Sequence, residues 1–196
     1  YKNWYEKIDL LEFVIEYIYN DDKRYYSQRF NPQNLSIYKV FIDMLNSEFE
    51  RLNFAYRIIE GKIVEITSEQ EIKTIETAID NSARNIKMHL NRALELYAQR
   101  PDGDYRNSIK ESISAVEAFC REKTGENTLG KALNKLEKNG IVFPDVLKHA
   151  FDKLYAYTNQ PDAGIRHALM DDTGVYTPKA EEAIFMLVSC SAFINY

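Results

Sequence analysis

Glycine, histidine and cysteine are scarce in this chain. Its 196 residues hold seven, three and two of them. Few glycines means few phosphate-cradling loops, and neither GxxxxGK[ST] nor GxGxxG occurs. Two cysteines without clustered histidines make no zinc site; HExxH, CxxC and the EF-hand loop are also missing. There is no G-x-S-x-G elbow. No apolar run approaches the ~18 residues of a membrane span, and no signal-peptide pattern opens the chain. No cofactor, metal or membrane is therefore expected. The chain starts on Tyr1 and stops inside an apolar helical pattern, so a trimmed fragment is expected.

Apolar residues make up 45% and charged residues 28%, the composition of a soluble globular protein. Cys120 and Cys190 both sit in apolar helical patterns. Buried reduced thiols and a cytoplasmic location are expected. The net charge of −5 is unevenly spread. Residues 1–80 carry 10 Lys+Arg against 15 Asp+Glu, and residues 154–196 carry 2 against 5. Residues 81–153 carry 13 against 10, so a polyanion would prefer the middle.

Periodicity predicts a mainly α fold. Trp4, Ile8, Leu11, Ile15 and Ile18 form one stripe, and Tyr38, Phe41, Ile42, Leu45, Phe49 and Leu52 a second. "NDDKRYYSQRFNPQN" between them reads as a connector. "AYRIIEGKIVEI" is rich in β-branched residues and broken at Glu60-Gly61, which predicts a small hairpin over 55–59 and 62–66. Ser68 and Glu71 form a capping box for the next helix. Helices follow at roughly 82–99, 104–123, 128–138, 145–158 and 178–196, the last opened by Thr177-Pro178. Residues 1–80 are read as N-terminal helices with the hairpin and a linking helix. Residues 81–196 are read as a helical bundle, packed with the first part as one compact unit.

Two stretches offer Arg and His together. "RNIKMH" sets Arg84 five residues before His89, about 140° apart on a regular helix, so the two do not face each other. His89 flanks the stripe Ile86, Leu90, Ala93, Tyr97, either as a half-buried structural histidine or as a site residue. "NQPDAGIRHALMDD" sets Arg166 beside His167 in a predicted loop, ahead of Asp171 and Asp172. A guanidinium holds phosphate with two bonds, and an imidazole moves protons near neutral pH. In the helix at 104–123 the stripe is Tyr105, Ile109, Ile113, Val116 and Cys120. Glu117 lies at its edge and needs a partner, with Arg166 one candidate; Glu111 is expected to face water.

The runs "HLNRALELYAQRPDGDYRNSIKESISAVEAFCREKTGENTLGKALNKLEKNG", "KHAFDKLYAYTNQPDAGIRHAL" and "EEAIFMLVSCSAFINY" resemble AbiJ-type abortive-infection proteins. Their helical module is similar to the HEPN superfamily (higher eukaryotes and prokaryotes nucleotide-binding). The hairpin and helix in "NFAYRIIEGKIVEITSEQEI" look like the same family. The resemblance covers residues 50–196 well and 1–49 loosely. It implies a HEPN-like bundle, a homodimer, RNA as ligand, and a partner protein in a defence system. It also implies metal-independent ribonuclease chemistry at an Arg-[polar]-x4-6-His motif. Arg166 matches the motif arginine and His167 its polar follower. The motif's last histidine would fall near 171–173, where the sequence reads Asp171, Asp172, Thr173. Either His167 or His89 serves instead, oriented by Glu117, or the chain binds RNA without cutting it.

Overall fold

The computed structural model describes residues 4–28, 36–52, 54, 56–65, 68–126, 128–140, 144–159, 165 and 176–196. Among them are eight helices and one two-stranded antiparallel sheet, so the fold is mainly α. In chain order these are α1 (Trp4–Gln28), α2 (Ile37–Arg51), β1 (Tyr56–Ile59), β2 (Lys62–Glu65), α3 (Glu69–Asn81), α4 (Arg84–Tyr97), α5 (Tyr105–Thr124), α6 (Leu129–Lys138), α7 (Asp145–Thr158) and α8 (Ala180–Asn195). None is long and apolar enough to cross a membrane. The chain divides into two compact units, residues 1–72 and 73–196.

The first unit is built from α1, α2 and the hairpin. Ile8 and Ile15 of α1 pack with Ile58 and Ile63, flanked by Phe41, Ile42 and Leu45 of α2. The hairpin pairs Tyr56 with Glu65 and Ile58 with Ile63, and turns at Glu60 and Gly61. Both turn residues have positive φ, 49° and 80°, as a tight two-residue hairpin turn requires. A lone hairpin is marginal, and its open edges must be satisfied. Here the two helices do so. Asn46 of α2 accepts from the Ile58 N–H at 2.8 Å and donates to the Ile58 carbonyl at 3.0 Å. Glu12 of α1 accepts from the Ile63 N–H at 2.8 Å.

Helix α1 runs ten residues beyond its expected end, through Tyr19–Gln28. That stretch holds neither Gly nor Pro to stop it, and Asn20, Asp21, Lys23 and Arg24 are exposed. Asp22 is buried; its carboxylate accepts from the Ser36 hydroxyl at 2.5 Å and the Ile37 N–H at 3.3 Å, satisfying the start of α2. At the other end of the chain α8 starts at Ala180, two residues later than Thr177-Pro178 predicts. The cap there is the Lys179 N–H, which donates to Glu182 at 2.8 Å. Ser68 caps α3 as expected, accepting from the Glu71 N–H at 3.3 Å.

The second unit is organised around α5, which contacts α4, α6, α7 and α8. Its stripe Ile109, Ile113, Val116 and Cys120 is buried with Leu133 and Leu136 of α6 and Met186, Cys190 and Phe193 of α8. Phe151 of α7 meets Phe193 edge-on, ring centroids 4.6 Å apart. A second side of α5, Ser108, Ser112 and Ala115, is buried as well. Ser108 reaches α4 there, its hydroxyl donating to the Ala93 carbonyl at 2.8 Å. Small side chains at this side let the two backbones approach closely. Gly125 ends α5 in the left-handed conformation, φ 75°, as a C-cap requires.

Candidate functional site

The α4–α5 contact decides where His89 goes. Ile86, Leu90, Ala93 and Leu94 of α4 are buried, which leaves His89 at the rim of that face. Across the rim stands Glu111 of α5, Oε2 2.7 Å from His89 Nδ1. Both side chains are only a quarter to a third exposed, 29% and 26%. This corrects the expectation that Glu111 faces water. That expectation followed the apolar stripe of α5 alone. Ser108 and Ser112 are buried too, so the residue between them is drawn to the α4 rim. The carboxylate holds the ring through Nδ1. Arg84, exposed at the first residue of α4, lies on another side of that helix.

Glu117 does not join this pair. It is six residues after Glu111 on α5, about 120° away around the helix axis. It faces α7, where the Tyr155 hydroxyl donates to its Oε1 at 2.9 Å. The carboxylate orienting His89 is thus Glu111 rather than Glu117, because a straight helix cannot present both carboxylates to one neighbour. Glu117 also adds to a shift at Cys120. Burial, and secondarily the Glu117 charge, pushes that thiol up to about 12. Cys190 is pushed to about 12 by burial. Both cysteines are free and buried, hence poor nucleophiles.

Arg166, His167, Asp171 and Asp172 lie outside the described residues. Ile165, the residue before Arg166, is buried in the core of α5, α6 and α8. Two residues flanking that stretch in sequence, Tyr157 and Tyr176, form a group the periodicity does not reveal. The Tyr176 hydroxyl donates to Glu182, and this bond lifts the phenol to about 12 while lowering the Glu182 carboxyl. Tyr157 is raised by burial and by the Glu182 charge, with Tyr176 near enough to oppose the shift. Among the described residues no hydrogen-bond partner reaches the Tyr157 hydroxyl. Arg106 of α5 donates to the Tyr176 carbonyl at 3.4 Å. Only the folded chain joins these residues, since they come from α5, α7 and the approach to α8. Among the described residues no three His, Cys, Asp or Glu side chains group as metal ligands.

Residues 1–81 match the protein family described as AbiJ N-terminal domain 4. The match runs from α1 to the end of α3 and so includes residues 1–49, where the sequence resemblance is loosest. No curated protein and no solved structure matches the chain.

Proposed function

We propose that residues 81–196 form a HEPN-like module acting on RNA as a metal-independent endoribonuclease, a reading supported by the match of residues 1–81 to AbiJ N-terminal domain 4, which points to the abortive-infection family. The observation that carries the reading is the His89–Glu111 pair, a half-buried imidazole held at 2.7 Å by a carboxylate. Acid–base cleavage of RNA needs such a group. His89 takes the proton of a ribose 2′-OH, the 2′ oxygen attacks phosphorus, and the 5′ oxygen leaves with a proton from a second group. Arg166 is the proposed phosphate anchor and His167 the proposed proton donor. Glu117, tied to Tyr155 on α7, is a positioning residue for that side of the site. A homodimer in the cytoplasm, with two copies of the site facing each other, completes the proposal.

The second reading is a non-catalytic module that binds RNA, dimerises or senses a partner protein of a defence system. It is favoured by Asp171, Asp172 and Thr173, which stand where the resembling motif has its last histidine. Two carboxylates there would repel phosphate.

The test incubates the purified chain with tRNA and structured RNA in EDTA, beside His89→Ala, Arg166→Ala and His167→Ala. The ribonuclease predicts fragments ending in 2′,3′-cyclic phosphate, lost in the variants. RNA left intact by the wild-type dimer, or cut equally by all four proteins, sinks it and favours the binding module.

A further inference from the structure

The side of α6 turned away from the core is a row of lysines. Leu129, Ala132, Leu133 and Leu136 are buried. Lys131, Lys135 and Lys138 occupy the opposite side at i, i+4 and i+7, all exposed. With Asn134 and Glu126 they line an open groove of about 410 Å³. Ordinary solvated helix faces mix the two signs, and like charges at these spacings destabilise the helix. Among the described residues one acid is paired with the row: Glu126, 3.5 Å from Lys135 Nζ. The acid within α6, Glu137, is taken by Lys148 of α7 at 3.0 Å. No carboxylate among the described residues pairs with Lys131 or Lys138.

We propose that this face of α6 binds the phosphodiester backbone of a single-stranded nucleic acid. Successive lysines are displaced by about 6 Å and about 4.5 Å along the axis, a spacing that flexible ammonium groups can match to consecutive phosphates. A protein partner fits less well, because interface cores favour aromatics and arginine and are depleted of lysine. The groove lining contains no apolar residue. An anionic membrane fits less well too, since three lysines without an inserting apolar side chain fall short of a surface anchor. The inference shares with the reading above only the class of ligand. It concerns where a strand is held, not whether it is cut.

The experiment measures fluorescence anisotropy of a labelled oligouridylate and a labelled oligothymidylate with the full chain carrying Arg166→Ala, so that the probe survives. Three neutralised phosphates predict a log–log salt slope of about −2. Lys131→Glu with Lys138→Glu is expected to weaken binding at least tenfold and flatten the slope, with the helix signal in circular dichroism unchanged. Lys153→Glu, on the exposed surface of α7, is expected to leave both as they were. Equal affinity for both oligonucleotides means backbone recognition, and preference for oligouridylate adds ribose contacts; both support the site. No binding, binding indifferent to Lys131 and Lys138, or equally tight binding of polyglutamate or phosphatidylserine vesicles overturns it. Wild-type protein that binds at α6 but leaves RNA intact sinks the ribonuclease and leaves this inference standing.

Discussion

The side-chain amide of Asn46 takes both hydrogen-bonding groups of Ile58, accepting from its N–H at 2.8 Å and donating to its carbonyl at 3.0 Å. It does for the outer edge of β1 what a third strand would do. Asn46→Ala strands a buried donor and acceptor, which costs about 1–3 kcal/mol. Urea unfolding is expected to show that loss. It should also show more aggregation than wild type, since a bare strand edge is a pairing template. Unchanged stability would mean that water replaces the amide without penalty.

His89 and Glu111 separate stability from chemistry. Glu111→Gln keeps the shape of the side chain and removes its charge. The pair is mostly buried, so weakening its charge-assisted bond costs about 1.5–3 kcal/mol of folding. If His89 moves protons on RNA, the same change lowers cleavage on the order of 10²-fold. Denaturation and single-turnover cleavage on one preparation measure both. A large stability loss with unchanged cleavage would make the pair purely structural.

Ser108 is fully buried where α5 meets Ala93 of α4. Ser108→Ala removes one interhelical hydrogen bond and is expected to cost about 1 kcal/mol. Ser108→Leu forces the helices apart and is expected to cost about 1–3 kcal/mol, lowering the melting temperature further than alanine does. Calorimetry orders the two; leucine tolerated as well as alanine would show that the helices have room to spare.

The two thiols make stability fall in alkali. Cys120 and Cys190 are raised from 9.0 to about 12. Between about pH 9 and 12 the native chain keeps protons that the unfolded chain releases, so unfolding becomes easier as pH rises. Raised Tyr157 acts in the same direction. Urea midpoints at pH 8, 9 and 10 should decrease, and a thiol reagent at pH 8 should label neither cysteine until the protein unfolds. Rapid labelling of the native protein would contradict the burial.

Much of this was legible in the sequence because period and punctuation agree. The stripes of α1, α4 and α5, the turn at Glu60-Gly61 and the Ser68 cap lie where a one-dimensional pattern puts them. The misread places are those where polar residues do structural work. Residues 20–28 read as a connector by composition, yet helix continues and Asp22 serves α2. Ser108 and Ser112 count as polar, yet both are buried through hydrogen bonds to helix carbonyls. That second buried side is why Glu111 meets His89 rather than water. A partner on another helix leaves no mark in the periodicity of its own. Arg166 and His167, singled out by a predicted loop and by family likeness, lie outside the described residues.

The dependence of α5 on α8 has a consequence during synthesis. The face of α5 that receives Met186, Cys190 and Phe193 leaves the ribosome well before residues 180–195 are made. At about 5–20 residues per second the gap is on the order of 3–15 s. For that interval the nascent chain carries an apolar groove with no lid of its own, so its yield in a cell depends on what shields the groove until the last helix arrives.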